Sequence, residues 1–532
     1  MTSKPSTEYI TTAIVYPNAR IHVGFAWECL GADWLNRGQK GFGKQTFLAT
    51  GMDEHSINVQ RAAEAKNLTP KDYCDQMGQD IERVLKQMGV SYDRFIRTSD
   101  PDHERVVQAL VNRAFEKGDI YKAKYEGHYC ESCEAYYTDK DLVDGLCPQH
   151  KKAPKWISEE NYFFKLSKYQ DQLLQLFRDR PDFLQPDYRR GEVVNFIQAG
   201  LKDFSISRST FTWGVPLPFD PKHVVYVWFD ALINYLTAAG YEHKLTNPGS
   251  AEAKAFDEKW PASVHIIGKD ISRFHCIYWP AMLMSLDIEL PQRVFAHGFI
   301  NIKGDRMSKS TGNVVTPDEV MNLSGPDPFR YYLLAENQFS NDGNFAWELL
   351  ILKNNADLAN DWGNLVNRSI NMTRKFFPEE TLTAPAKATH SAEVRESFDR
   401  LRGELQVALA AIDPAAYSVA CMARSRVLNL YIDRTKPWAL AKAATPESMS
   451  ELREVLYTLL EGIRWTATCL MPVLPFGMPE VFKQLGVKTP DAQGAISNLE
   501  WGKESYLVGE PRPIYLRIEK AVSETAENLP KT

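Results

Sequence analysis

The first fifty residues constrain the fold more than any other part of the chain. Tyr9 to Tyr16 is rich in β-branched and aromatic residues and is broken by Pro17-Asn18. A helix is expected from near His22 to Asn36, with Gly38 as its stop. Gln45 to Thr50 reads as a second strand, ended by Gly51. Strand, helix and strand in this order predict a βαβ unit on a parallel sheet, with a ligand crevice at the strand ends. Gly41-Phe42-Gly43-Lys44 lacks the full phosphate-loop pattern and precedes a strand, so it reads as a turn.

At 532 residues the chain is too long for one core. Apolar strand-like runs return at Val224–Phe229 and Val264–Ile267, so the sheet is expected to be interrupted by an insertion and then completed. From about residue 344 the pattern turns helical. Leu358, Trp362, Leu365, Val366 and Ile370 recur at helical spacing, and Ser418–Arg434 and Met449–Leu470 behave alike. Thr489–Pro511 is rich in turn formers, and Pro513–Ile518 is expected to dock back as a short extended piece. The net charge of −6 argues against a general nucleic-acid coat protein and leaves room for local basic patches. The N-terminus shows no apolar signal region, and no run of about twenty apolar residues occurs. A cytoplasmic location is the expectation.

Eight cysteines do not make a disulfide scaffold in a chain of this length. Three cluster: Cys130-Glu131-Ser132-Cys133 is followed by Cys147-Pro148-Gln149-His150. A CxxC turn sets two thiolates on one side of a metal, and the second pair fills the other corners. The pattern predicts a closed, structural Zn²⁺ site.

Between Ala296 and Asn313 lies a polar, glycine-flanked loop whose Lys309 is a movable point charge suited to phosphate. His22, at a strand-to-helix turn, would add a donor at a helix N-terminus, though on the residues alone it is as readily an ordinary histidine. Asn364 and Arg368, four apart, share a helix face nearly opposite the apolar stripe and suit base edges. Trp438 follows Pro437 at an expected helix start, where an exposed indole would stack a base.

Arg306-Met307-Ser308-Lys309-Ser310 resembles the Lys-Met-Ser-Lys-Ser signature of class I aminoacyl-tRNA synthetases, and His22-Val23-Gly24-Phe25 resembles their other signature. The finer resemblance is to the methionyl-tRNA synthetases and covers nearly the whole chain. It is carried by tracts such as Tyr16-Pro17-Asn18, Thr50-Gly51-Met52-Asp53-Glu54-His55, Tyr226-Val227-Trp228-Phe229-Asp230-Ala231, Ile267-Gly268-Lys269-Asp270 and Lys436-Pro437-Trp438.

The resemblance implies an α/β Rossmann-type catalytic domain with an inserted zinc-knuckle domain, followed by an α-helical bundle. The catalytic halves would span 1–118 and 215–295, the insertion 119–214, a mobile-loop region 296–355, the anticodon-binding bundle 356–510 and a tail 511–532. The activity implied is activation of methionine by ATP and transfer to tRNA(Met), by a monomer, with Mg²⁺ accompanying ATP and one structural Zn²⁺. His22 would contact the phosphates, and Lys309, assisted by Arg306, the pyrophosphate in the transition state. Gly24 would lie against adenine, and Gly268 and Asp270 would contact the ribose. Asp53 would pair with the methionine ammonium. Ile14, Tyr16, Trp228 and Ala231 would wall the pocket with Leu232, Tyr235, Phe274 and His275. Cys130, Cys133, Cys147 and His150 would be the zinc ligands, and Asn364, Arg368 and Trp438 would read the anticodon.

Phe25 stands where the first signature normally ends in a second histidine. A phenyl ring donates no hydrogen bond, and losing one transition-state donor typically costs about 2.7–4 kcal/mol. Lys269, Lys309 or Arg306 could supply the contact. Two other readings share these residues: a paralogue that makes an adenylate for another acceptor or amino acid, and a non-catalytic tRNA-binding protein.

Overall fold

The computed structural model describes residues 6–130, 135–137, 142–148, 151–209, 211–302, 305–306, 314–386 and 390–519. It does not describe the side chains of 125, 126, 135, 136, 157, 159, 305 and 306. The chain clusters into two units, one of residues 1–21, 47–83 and 92–296, the other of 22–46, 84–91 and 297–532.

The first unit is built on a six-stranded sheet: β1 (Thr7–Val15), β2 (Gln45–Met52), β3 (Arg94–Arg97), β4 (Leu184–Gln185), β5 (Val264–Gly268) and β6 (Val294–His297). The spatial order is β3-β2-β1-β5-β6-β4. The β1/β5, β2/β3 and β6/β4 ladders are parallel, with Ile10 opposite Val264 and Thr12 opposite Ile266. Every residue of β5 is buried, as a parallel strand covered on both faces must be. β2 and β3 extend the sheet to one side of β1, β5 and β6 to the other. Such a reversal of strand order opens a crevice at the carboxyl ends. The edge strand β4 comes from within the 119–214 span.

Two smaller sheets accompany it. The long hairpin of Ile120–Cys130 with Lys155–Phe164 is flanked by Ala135–Tyr137 and Phe204–Ser205. The strand expected at Val224–Phe229 is a correction. It ends at Val225, pairs antiparallel with Ser207–Arg208 and Pro216–Leu217, and gives way to a helix at Val227–Leu232. A short apolar run has no periodicity that separates a buried strand from a buried helical turn.

The second unit is mostly helical. The helix expected to stop at Gly38 runs from Val23 to Gly41, and the chain turns at Gly43, whose φ is +86°. Gly38 allows close approach rather than a stop: a Cβ there would lie 2.4 Å from the Leu409 side chain. Long helices Pro326–Glu336, Ala392–Ala411, Pro414–Thr435 and Pro446–Leu470 form the rest of the body. Arg330 is fully buried and donates to Asp33 Oδ2 at 2.7 Å and to the carbonyls of Met88, Pro472 and Val473. The expected apolar stripe is buried, but Asn354–Gly363 is a π-helix that passes into the α-helix Asn364–Phe376. The segment expected to dock in extended form pairs with no strand. Its backbone is held by side chains: Asn354 donates to Leu516 O at 2.9 Å, and Asn355 exchanges bonds with Ile518 at 2.8 and 3.0 Å.

Candidate active site

The carboxyl ends of β1, β2 and β5 carry a group of candidate residues within the first unit. Ile14 lies in β1 and Tyr16 just past it. Asp53 follows β2, and its amide donates to Val15 O at 2.9 Å, which holds the two strand ends together. Gly268 closes β5, and Asp270 follows, exposed. Asp53 is buried, so its carboxylate presents charge in a poorly solvated place where an ammonium partner is favoured.

The wall comes from helices. Trp228 and Ala231 sit on Val227–Leu232, and Tyr235 on Asn234–Ala239. Phe274 and His275 sit on a π-helical turn, Phe274–Tyr278, that follows β5. The Trp228 and Phe274 rings stack with centroids 3.7 Å apart and planes 8° apart. Leu232 is buried beside them in sequence, an apolar residue in an apolar setting. The Tyr235 hydroxyl is 2.7 Å from His275 Nε2, and His275 Nδ1 is 3.0 Å from Ile271 O. A carbonyl only accepts, so Nδ1 carries the proton and Nε2 accepts from Tyr235. Burial pushes the His275 imidazole down to about 4, against the upward pull of its bond to Ile271. The pocket floor is therefore polar but uncharged near neutrality, which suits a thioether rather than an ion.

Behind Tyr235 lies a group that sequence reasoning missed. His265 stacks on Tyr235 at 4.2 Å, sits 2.7 Å from Thr11 Oγ1 and accepts from Trp279 Nε1 at 3.3 Å. Burial, with His275 beside it, holds its imidazole far below the usual range.

The segment after Asp53 is clamped residue by residue. The Glu54 amide donates to Thr98 Oγ1 at 2.9 Å, and its carbonyl accepts from Trp213 Nε1 at 2.6 Å. Its carboxylate is paired with Arg97. The His55 ring bonds to Asp230. The sequence flagged the two tracts containing His55 and Asp230 but assigned neither residue a role, because the partners are distant in the chain.

In the second unit His22 is the N-cap of the helix Val23–Gly41, with φ −114° and ψ 169°. Its Nδ1 accepts from the Gly24 amide at 3.0 Å, so in the neutral ring the proton is on Nε2. The Val23 amide donates to Val315 O, also at 3.0 Å. Two of the helix-opening N–H groups expected to meet phosphate are thus already used.

The family described as "tRNA synthetases class I (M)" matches residues 8–155 and 149–370. A methionine–tRNA ligase of Clostridium acetobutylicum is 43% identical over 525 residues, covering 98% of this chain and 80% of the relative. The chain belongs to the class I methionyl-tRNA synthetases. A methionine–tRNA ligase of Nostoc sp. is 39% identical, covering 96% of this chain and 97% of its own. The methionyl-tRNA synthetase of Mycobacterium tuberculosis, solved with methionyl-adenylate, superposes with a TM-score of 0.91 at 36% identity, covering 96% of this chain and 100% of its own.

The remaining candidates of this synthetase are placed unevenly. Lys309 lies outside the described residues. Arg306 lies in the short strand Asp305–Arg306, its backbone opposite Asn301. Cys130 ends the strand Ile120–Cys130, and Cys147 opens a turn closed by Lys151 N to Cys147 O at 2.8 Å. Both thiols are buried. Cys133 and His150 lie outside the described residues. Asn364 is exposed and Arg368 half-buried on the helix Asn364–Phe376, and Trp438 is 47% exposed on Pro437–Ala443. Both helices pack on Pro446–Leu470.

Proposed function

We infer that this chain works as a methionine–tRNA ligase through the crevice at the ends of β1, β2 and β5. The observation that carries the reading is the pairing there of a buried carboxylate, Asp53, with an aromatic wall closed by the uncharged Tyr235–His275 pair. Asp53 takes the ammonium of methionine, and the stacked and apolar side chains take its thioether arm. One carboxylate oxygen of methionine attacks the α-phosphorus of ATP, the bond to the bridging oxygen breaks, and pyrophosphate leaves. The 3′-terminal adenosine hydroxyl of tRNA then attacks the carbonyl carbon, loses its proton, and AMP departs. Such transfers depend on positioning and on neutralising phosphate oxygens rather than on a protein nucleophile.

His22 Nε2–H serves the phosphates, Lys309 and Arg306 the pyrophosphate, and Gly268 and Asp270 the ribose. Gly24 lies against adenine, and Asn364, Arg368 and Trp438 read the anticodon. Mg²⁺ on the ATP oxygens would supply further charge neutralisation. Cys130, Cys133, Cys147 and His150 would hold a structural Zn²⁺. The burial of Cys130 and Cys147 at two turns fits that role, as does a thiolate and imidazole donor set. The working unit in this reading is a single chain in the cytoplasm, where tRNA and ATP meet. Among the described residues no helix is long and apolar enough to cross a membrane.

Methionine-driven ATP–pyrophosphate exchange tests the reading. Exchange with methionine supports it. Exchange with another amino acid supports the paralogue, and no exchange supports a non-catalytic tRNA-binding protein.

A further inference from the structure

We propose that Asp230 is a positioning residue for methionine, tying the ammonium-binding segment Asp53–His55 to the helix that carries Trp228 and Ala231. The inference rests on the reading of this crevice as the methionine site. Asp230 lies between Trp228 and Ala231 in sequence, and His55 is two residues past Asp53. His55 Nδ1 lies 2.7 Å from Asp230 Oδ2, and His103 Nε2 lies 2.9 Å from Asp230 Oδ1. All three side chains are buried. A carboxylate only accepts, so both rings donate and each oxygen is used by a different element. The His103 arm runs away from the pocket to the helix Pro101–Glu116, and its Nδ1 meets Thr237 Oγ1 at 3.1 Å.

The charges support the strut. Burial pushes the Asp230 carboxyl up, but the His55 charge and the bonds from both histidines outweigh it and hold the group below its usual range. Burial likewise pulls His55 down, and Asp230, with Glu54 and Glu104, reverses the direction. In low dielectric such a link resists sliding of the strand end past the helix. The amine site and the thioether wall then keep one spacing, and the spacing selects a side-chain length.

The test compares Asp230→Asn, His55→Gln and His103→Gln in ATP–pyrophosphate exchange, with thermal stability measured alongside. Asp230→Asn and His55→Gln are expected to raise KM for methionine about tenfold while KM for ATP moves less than about twofold. His103→Gln cuts the other bond to the same carboxylate. It is expected to lower stability comparably yet leave KM for methionine within about twofold. If His103→Gln and His55→Gln raise KM for methionine alike, or both substrates shift together, Asp230 is a core pair and the proposal fails. Should Asp230→Asn not fold, the two histidine variants decide the matter by themselves. A wild-type chain without methionine exchange would instead remove the reading of the pocket.

Discussion

The Val23 amide donates to the carbonyl oxygen of Val315 at 3.0 Å, which joins the start of the first long helix to the chain just beyond the Lys309 segment. The Gly24 amide is taken by His22 Nδ1. The positive end of this helix therefore acts through its cap. The group left to approach a phosphate is the opposite edge of the His22 ring, and the signature is a capping residue with a second hydrogen-bonding face.

His22→Asn separates the two faces. Asparagine caps helices well, so stability is expected to stay within about 0.5 kcal/mol of wild type. The lost Nε2–H is expected to slow methionine-dependent exchange by about 10²–10³-fold. Thermal denaturation run beside the exchange assay checks both. Wild-type turnover in this variant would reduce His22 to a cap.

His275 predicts an acid-sensitive core. Its value falls from 6.5 to about 4 in the folded chain. Between these limits the unfolded state binds a proton that the native state refuses. The contribution is full above pH 6.5 and is lost as pH drops toward 4, on the order of 3 kcal/mol. His265 acts in the same direction. His55, raised by Asp230, acts oppositely: its contribution is present below 6.5 and is lost as pH rises through its folded value. Urea unfolding at pH 6.5 and 4.5 is expected to show a smaller acid loss for His275→Gln than for wild type.

Arg330→Met leaves a buried carboxylate short of its strongest partner. Asp33 keeps Arg37 at 2.9 Å and Ser91 at 2.8 Å, but three carbonyls also lose a donor. A destabilisation of about 3–5 kcal/mol is expected, read from the urea midpoint. An unchanged midpoint would mean that apolar contacts replace the hub.

Trp438→Ala is expected to weaken tRNA binding by about 1–3 kcal/mol, seen as a higher KM for tRNA in aminoacylation. Exchange without tRNA is expected to be unaffected. A loss in both assays would make the half-exposed indole a packing residue.

The sheet strands are the most legible part of the sequence, because parallel strands read as unbroken apolar runs, as Val264–Ile267 does. Val224–Phe229 has the same composition and splits into a strand end and a helical turn. What distinguishes it is Asp230, whose partners His55 and His103 are neighbours only in space. The pocket residues Asp53, Tyr235 and His275 are nameable from their tracts. The direction of their hydrogen bonds is not, since a tautomer depends on what surrounds both ring nitrogens. Helical spacing likewise marks Leu358 and Trp362 as buried without disclosing that their segment is wound as a π-helix.

That winding has a consequence for evolution of the chain. The ten residues Asn354–Gly363 are underwound relative to the helix they feed. Deleting one of them would let the segment tighten into ordinary α geometry, and everything beyond would rotate by about 100°. Asn364 and Arg368 would then swing off their present bearing while Leu365 and Ile370 left the core. Point substitutions in this stretch are a matter of degree. A single-codon deletion would turn the whole reading head to face the wrong way.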